Sequence, residues 1–159
     1  MKNQFSKWII IPLCSLLMVF GSLNAQNKML ENITLQHVTL VVSDFTESSE
    51  FYMDILGLKQ IDAPWLPENQ AFLQLGSNLE LHMGEVPGVT IAPSTFNHFA
   101  MSVTDLDSFL EHLEKNDIWY GTLGGGEKHK VQQRPDGVRQ TFFQDPDGYW
   151  LEVNDYKQK

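Results

Sequence analysis

The sequence predicts an α+β protein made of one strand-helix-three-strand unit used twice. Three observations lead there. The segment from His37 to Asp44, His-Val-Thr-Leu-Val-Val-Ser-Asp, aligns residue for residue with His98 to Asp105, His-Phe-Ala-Met-Ser-Val-Thr-Asp. Ala-Phe-Leu-Gln at 71–74 aligns with Thr-Phe-Phe-Gln at 141–144, and each is followed by a turn and a Leu-Glu pair, Leu79-Glu80 and Leu151-Glu152. A His early and a Glu late in each half, in step, mark an internal repeat. The third observation is the stretch 140–155, where two strand-like runs flank Asp145-Pro146-Asp147-Gly148. Proline presets φ at the second turn position and glycine closes the turn, which is the signature of a hairpin.

In chain order, residues 35–43 alternate as a strand, with His37, Thr39 and Val41 on one face and Val38, Leu40 and Val42 on the other. Asp44 or Thr46 can cap a helix running to about Leu56, with Gly57 past its end. A short strand is expected at 58–62, then a loop over 63–70 in which Pro64 and Pro67 oppose regular structure. Residues 71–75 and 79–83 read as a hairpin around Gly76-Ser77-Asn78, and 84–95 as a linker. The second half begins with a strand whose faces carry His98, Ala100 and Ser102 against Phe99, Met101 and Val103. Asp105 can cap a helix in which Leu106, Phe109, Leu110 and Leu113 recur at i, i+3, i+4 and i+7, ending near Asn116. A short strand at 118–121, a glycine-rich loop at 124–128 and the final hairpin follow. In that hairpin Trp150, Glu152 and Asn154 share one face, and Leu151 and Val153 the other. A mid-strand carboxylate is either exposed on an open face or kept for chemistry.

The first 25 residues have the layout of a signal peptide. Lys2 and Lys7 precede an apolar run from Trp8 to Phe20, and Leu23-Asn24-Ala25 offers a small-residue cleavage site. Thirteen apolar residues are too few to cross ~30 Å of hydrocarbon, so a stable membrane anchor is not expected after cleavage. The expected organisation is a leader (1–25), a linker (26–34), one domain (35–155) and a short tail (156–159), with export to the periplasm or the medium. The single cysteine, Cys14, lies in the leader, so the mature chain would have no disulfide and no thiolate ligand. Without Lys2 and Lys7, the balance is 9 Lys and Arg against 20 Asp and Glu, net −11. Nucleic acid and anionic membranes are therefore poor partners, and a small molecule is the expected one.

At these residues the sequence resembles the vicinal oxygen chelate superfamily, which includes glyoxalase I, bleomycin-resistance proteins, fosfomycin-resistance enzymes and extradiol dioxygenases. The likeness runs over about 35–155, and the Asp-Pro-Asp-Gly hairpin followed by a Glu is its most specific element. It implies two paired βαβββ modules curving into an open mixed-sheet barrel around one divalent ion. Carried over position by position, the ligands it implies are His37, Glu80, His98 and Glu152. His82 is the alternative to Glu80: it lies two residues on, on the same face, and would give a three-His, one-Glu set closer to an iron site. Glu80 is preferred because the Leu-Glu alignment sets it in step with Glu152. Zn, Ni, Fe, Mn and Co are all compatible with nitrogen and oxygen donors.

The resemblance further implies a lyase or isomerase acting on a small α-hydroxycarbonyl or adduct through a metal-stabilised enediolate, with Glu152 as base and Glu80 serving the opposite face. A homodimer is expected, with sites inside or between chains. Two departures argue against glutathione as cosubstrate: Val41 stands where bacterial glyoxalase I has an Arg, and Gly84 where an Asn is expected. Arg139, in step with Thr141 and Phe143, either faces the pocket and holds an anionic substrate group or is a solvated strand end. The second reading, from a different class, is a metal-free acidic module of the bleomycin-resistance type that sequesters a cationic ligand, for which Trp65, Tyr149 and Trp150 supply aromatic surface.

Overall fold

The computed structural model describes residues 33–157. The expected leader and most of the linker lie outside the described residues. From Gln36 onward the chain is one compact unit. Its elements are β1 (His37–Val42), α1 (Phe45–Glu50) continued by a π-helical turn (Phe51–Ile55), β2 (Lys59–Gln60), β3 (Gln70–Leu75) and β4 (Leu79–Glu85). The second half repeats them as β5 (His98–Ser102), α2 (Leu106–Lys115), β6 (Tyr120–Gly121), β7 (Gln132–Gln133), β8 (Arg139–Gln144) and β9 (Trp150–Asn154). The repeat and the α+β class read from the sequence are thus both present.

Each half forms its own mixed sheet, in the orders β1-β4-β3-β2 and β5-β9-β8-β6, with β7 added alongside β8. Within each, the first strand runs parallel to the last while the other pairings are antiparallel. The two sheets are separate, so the described chain has no single closed barrel. Both helices start where the sequence predicts. Asp44 accepts from the Glu47 amide and Asp105 from the Ser108 amide, each at 3.0 Å, satisfying donors that an uncapped first turn would leave orphaned.

Two local departures have physical reasons. The first helix widens into a π turn at Phe51, where two adjacent aromatics, Phe51 and Tyr52, are both buried. The pairing of β7 with β8 leaves no sign in the sequence, because a strand of two glutamines has no apolar alternation.

The core joins the halves. Phe143 of β8 packs against Phe51 of the first half and Phe109 of the second, with ring centroids 6.4 and 6.1 Å apart. Around them lie Tyr52, Leu73, Leu81, Leu113, Leu151 and Val153, all essentially inaccessible to water. The Asp145–Gly148 turn acts as a clamp between the halves. Tyr52 donates to Asp145 Oδ2 at 2.7 Å, and the Asp147 and Tyr149 amides donate to Asp145 Oδ1. Asp147 in turn accepts from the Ser43 amide and the Ser48 hydroxyl, and Tyr149 Oη donates to the Val41 carbonyl. Gly148 closes the turn at φ +83, a conformation that costs a side-chain-bearing residue steric strain.

Burial pushes the Asp145 carboxyl up to about 6, against hydrogen bonds from Tyr52 and the Tyr149 amide that pull it down. Its folded form therefore holds a proton more tightly than the unfolded chain. Its contribution to stability is greatest below the unfolded carboxylate range near 4 and is lost as pH rises to about 6. Relative to Asp145→Asn, the wild type should lose up to about 3 kcal/mol of stability between pH 4 and 7, measured by urea unfolding. Tyr52→Phe should cost about 1.5–3 kcal/mol at pH 7, where the buried carboxylate loses a donor.

Candidate metal centre

Strand register decides which side chains meet. In the first sheet, β4 lies between β3 and β1, and Phe72, His82 and Thr39 are cross-strand partners. In the second sheet, β9 lies between β8 and β5, and Phe142, Glu152 and Ala100 are partners in the same way. Thr39 and Ala100 each sit two residues after the module's histidine. The strand pairing therefore puts His82, not Glu80, in step with Glu152. Glu80 pairs with His37, a position filled in the second module by Trp150 opposite His98. The Leu-Glu alignment misplaced the register by one pleat, because it needs a second turn two residues longer than the first, whereas the two hairpins pair alike: Gln74 with Glu80, and Gln144 with Trp150.

Each sheet consequently carries the same row: an aromatic, a candidate ligand and a histidine. In the first, Phe72, His82 and His37 form a stack, with centroids 3.5 and 4.1 Å apart and planes within 11° and 8° of parallel. In the second, Phe142 meets His98 edge-on at 5.4 Å, and His98 Nε2 lies 3.5 Å from Glu152 Oε2. Glu152 is 7% exposed, and its other oxygen accepts from Asn154 Nδ2 at 2.7 Å. Asn154 thus fixes the carboxylate so that Oε2 is the atom presented to His98.

The first row has its own supporting contacts. Gln36 Oε1 accepts from His37 Nδ1, which leaves the His37 Nε2 lone pair free. His82 Nε2 is bonded to Glu80 Oε2 at 2.7 Å. Hydrogen bonds from His82 and then Gln36 hold the Glu80 carboxyl below the ordinary carboxylate range. Beside His82 a cavity of about 260 Å³ is floored by small residues, Thr39, Val41 and Gly84. A second of about 410 Å³ lies beside His98, walled by Val38, Leu40, Phe96 and Tyr149.

The remaining expectations fare differently. Arg139 shares a strand face with the buried Thr141 and Phe143, opposite to that of Glu152, and forms an ion pair with Asp107. It is the solvated strand end rather than a pocket residue. Trp65 is 73% exposed on the 63–69 loop and lines neither cavity beside the histidines. Within one chain, no three His, Cys, Asp or Glu side chains among the described residues gather where they could hold an ion. The His37 row and the His98 row stand as two separate candidate half-sites. Sequence reading left Asn154 and Gln36 without a role. Asn154 could have been found from its i, i+2 spacing to Glu152 on an alternating strand.

The family described as Glyoxalase/Bleomycin resistance protein/Dioxygenase superfamily matches residues 34–153. The chain belongs to this superfamily. Among curated relatives, the Escherichia coli (strain K12) protein YaeR is 28% identical over 130 residues, covering 75% of this chain and 93% of that one. The metallothiol transferase FosB of Staphylococcus haemolyticus is 30% identical over 126 residues, covering 76% of this chain and 81% of that one. The lactoylglutathione lyase GLX1 of Arabidopsis thaliana is 29% identical, but the chain spans only 44% of its length. Among solved structures, the oxidase ChaP-H2 superposes with a TM-score of 0.65 at 22% identity, over 79% of this chain and 95% of that one. A glyoxalase family protein from Bacillus anthracis gives 0.61 at 24%, over 79% and 96%. At these identities the structural likeness establishes the superfamily's fold.

Asn154→Ala would leave Glu152 Oε1 buried without its donor. The expected outcome is a loss of about 1.5–3 kcal/mol in urea unfolding at pH 7, whereas Asn116→Ala, at an exposed helix end, should change stability much less.

Proposed function

We propose that the protein is an exported metal-dependent lyase or isomerase acting on a small α-hydroxycarbonyl compound or adduct. The observation that carries this reading is the matched pair of rows, which offers His37 and His82 from one module and His98 and Glu152 from the other. The donor chemistry suits a divalent ion. Two ligands with bonds of about 2.1 Å to one ion lie roughly 3.0–3.5 Å apart, and the His98–Glu152 separation of 3.5 Å falls in that range. His37 supports the same reading, since Gln36 holds it in the tautomer that frees Nε2. A homodimer that brings the first module of one copy against the second module of the other would unite the half-sites. His37 and His98 are both exposed in the single chain, as such a pairing requires.

When bound, the ion supplies a Lewis acid that lowers the cost of removing a proton beside a carbonyl by several kcal/mol. The residues divide the remaining work. Glu152, enclosed and tied to Asn154, serves as a ligand rather than the moving base. Glu80 is the better proton acceptor. It is half-exposed, it is ionised well below neutral pH, and its bond to His82 Nε2 holds it at the edge of the donor set. The small floor at Thr39, Val41 and Gly84 leaves room for a compact substrate beside His82. The likeness to a metallothiol transferase favours a second reading, in which a thiol is transferred to a small electrophile at the same site.

Chelator-treated and reloaded protein should take up close to one divalent ion per chain and turn over methylglyoxal with one of a panel of thiols. His98→Ala and Glu152→Gln should lose the ion, while Glu80→Gln should keep it and lose at least about a hundredfold in kcat. Co-expressing His37→Ala with His98→Ala chains should restore roughly a quarter of wild-type activity, since a symmetric dimer then has one intact site. Absence of ion uptake would leave the metal-free binding module as the correct reading. Thiol consumption with electrophiles but not with methylglyoxal would favour transfer.

A further inference from the structure

On the open face of the first sheet, the row beyond His82 carries a side chain with no part in the donor set. Gln70 of β3 pairs with Gly84 of β4, which pairs in turn with Val41 of β1. The matching row of the second module reads Gln140, Asn154 and Ser102. Asn154 is the residue whose carboxamide bonds Glu152, and in the first module a glycine stands in its place. Gly84 is not required there by its backbone, since its φ lies outside the left-handed region. A glycine inside a strand weakens it, and often marks a place where another group must come close. Here that group is Gln70: a Cβ at position 84 would stand 2.9 Å from Gln70 Cγ and 3.5 Å from its Cδ.

Gln70 therefore lies across the bare backbone of Gly84. Each module then has a carboxamide in the row beside its donor, Asn154 next to Glu152 and Gln70 next to His82. They differ in what they bond. Asn154 is committed to Glu152 at 2.7 Å. His82 Nε2 is already taken by Glu80, and the backbone amide of Gln70 goes to the Pro67 carbonyl at 3.1 Å. The Gln70 carboxamide itself bonds none of the described residues. It lines the cavity of about 260 Å³ beside His82, whose remaining wall is largely apolar through Val41, Phe72, Met83 and Val86. No Lys, Arg, Asp or Glu lines that cavity.

We propose that Gln70 determines specificity at this site: its carboxamide hydrogen-bonds a third oxygen of a compact, uncharged hydroxycarbonyl substrate whose two neighbouring oxygens face the donor row. This inference rests on the metal-dependent reading above and names the substrate class within it. A hydroxyl suits the carboxamide in both senses, donating to Oε1 or accepting from Nε2. A carboxylate or phosphate tail would enter a mostly apolar cavity with no cation to pair it. A wholly apolar tail would leave the carboxamide facing a group that cannot bond it. Sites built around such a polar group discriminate best against an analogue that lacks one hydroxyl, because the group is then left unpaired.

The test titrates the whole, zinc-loaded protein with two ketones that differ by one hydroxyl, dihydroxyacetone and hydroxyacetone, followed by nitrogen-proton correlation NMR. Dihydroxyacetone should bind roughly three- to tenfold more tightly. It alone should shift the Gln70 side-chain amide signals, identified by their absence from Gln70→Leu. Gln70→Leu, which keeps the volume, should take up the ion as the wild type does and bind the two ketones alike. Gly84→Ala should also lose the preference, since its methyl displaces Gln70, and should add nothing when Gln70 is already replaced by Ala. Equal affinities in the wild type, or a preference that survives in Gln70→Leu, overturn the inference, while ion uptake leaves the metal-dependent reading standing. Failure of ion uptake defeats that reading instead. The same titration on the metal-free protein then decides the inference: a preference lost in Gln70→Leu upholds it, and no preference overturns it.

Discussion

Parallel pairing of the first strand with the last is the constraint on which everything else in each module rests. It sets β1 beside β4 and β5 beside β9, so that a histidine from one end of the module stands next to a donor from the other. Antiparallel neighbours β3 and β8 then back that donor with an aromatic ring, Phe72 or Phe142. Because side chains alternate with a period of two, a slip of one residue would send the whole donor set into the core. The apolar faces of the strands prevent this. Leu81 and Leu151 are wholly buried on one side, so His82 and Glu152 are committed to the other.

The Asp145–Gly148 turn has a structural task as well as a place in the superfamily's signature. Its two carboxylates collect donors from Tyr52, Ser43 and Ser48, all of the first module, while Phe143 on the preceding strand accepts Phe51. The turn therefore holds the first module's helix against the second module's sheet. His37 and His98 remain exposed at the ends of their rows. In the proposed reading these rows are two half-sites that a second copy of the chain would complete.

Much of this was legible in the sequence. The repeat, the capped helices and the final hairpin could be read because each has a local cause: alternation along a strand, an Asp at an N-cap, Pro and Gly in a turn. The strand faces that carry His37, His98 and Glu152 followed from the same alternation. What failed was the one inference that needed the two hairpin turns to differ in length. Leu79-Glu80 and Leu151-Glu152 look equivalent as text, but the two hairpins pair alike, Phe72 with His82 and Phe142 with Glu152, so hydrogen-bonded register rather than residue identity puts His82 level with Glu152. Arg139 was ambiguous for a related reason: its face was known from its step with Thr141 and Phe143, but which face met the core was not. Asp107, distant in sequence, supplied the answer.

The central claim is that the two rows converge on one ion through three imidazoles and one carboxylate. X-ray absorption at the metal edge of the reloaded protein measures this most directly, because imidazole rings give countable multiple-scattering features. The account predicts three imidazoles in the wild type and two in His82→Ala, with Glu80→Gln unchanged at three. Two imidazoles in the wild type, unaltered by His82→Ala but perturbed by Glu80→Gln, would contradict it and return Glu80 to the ligand set.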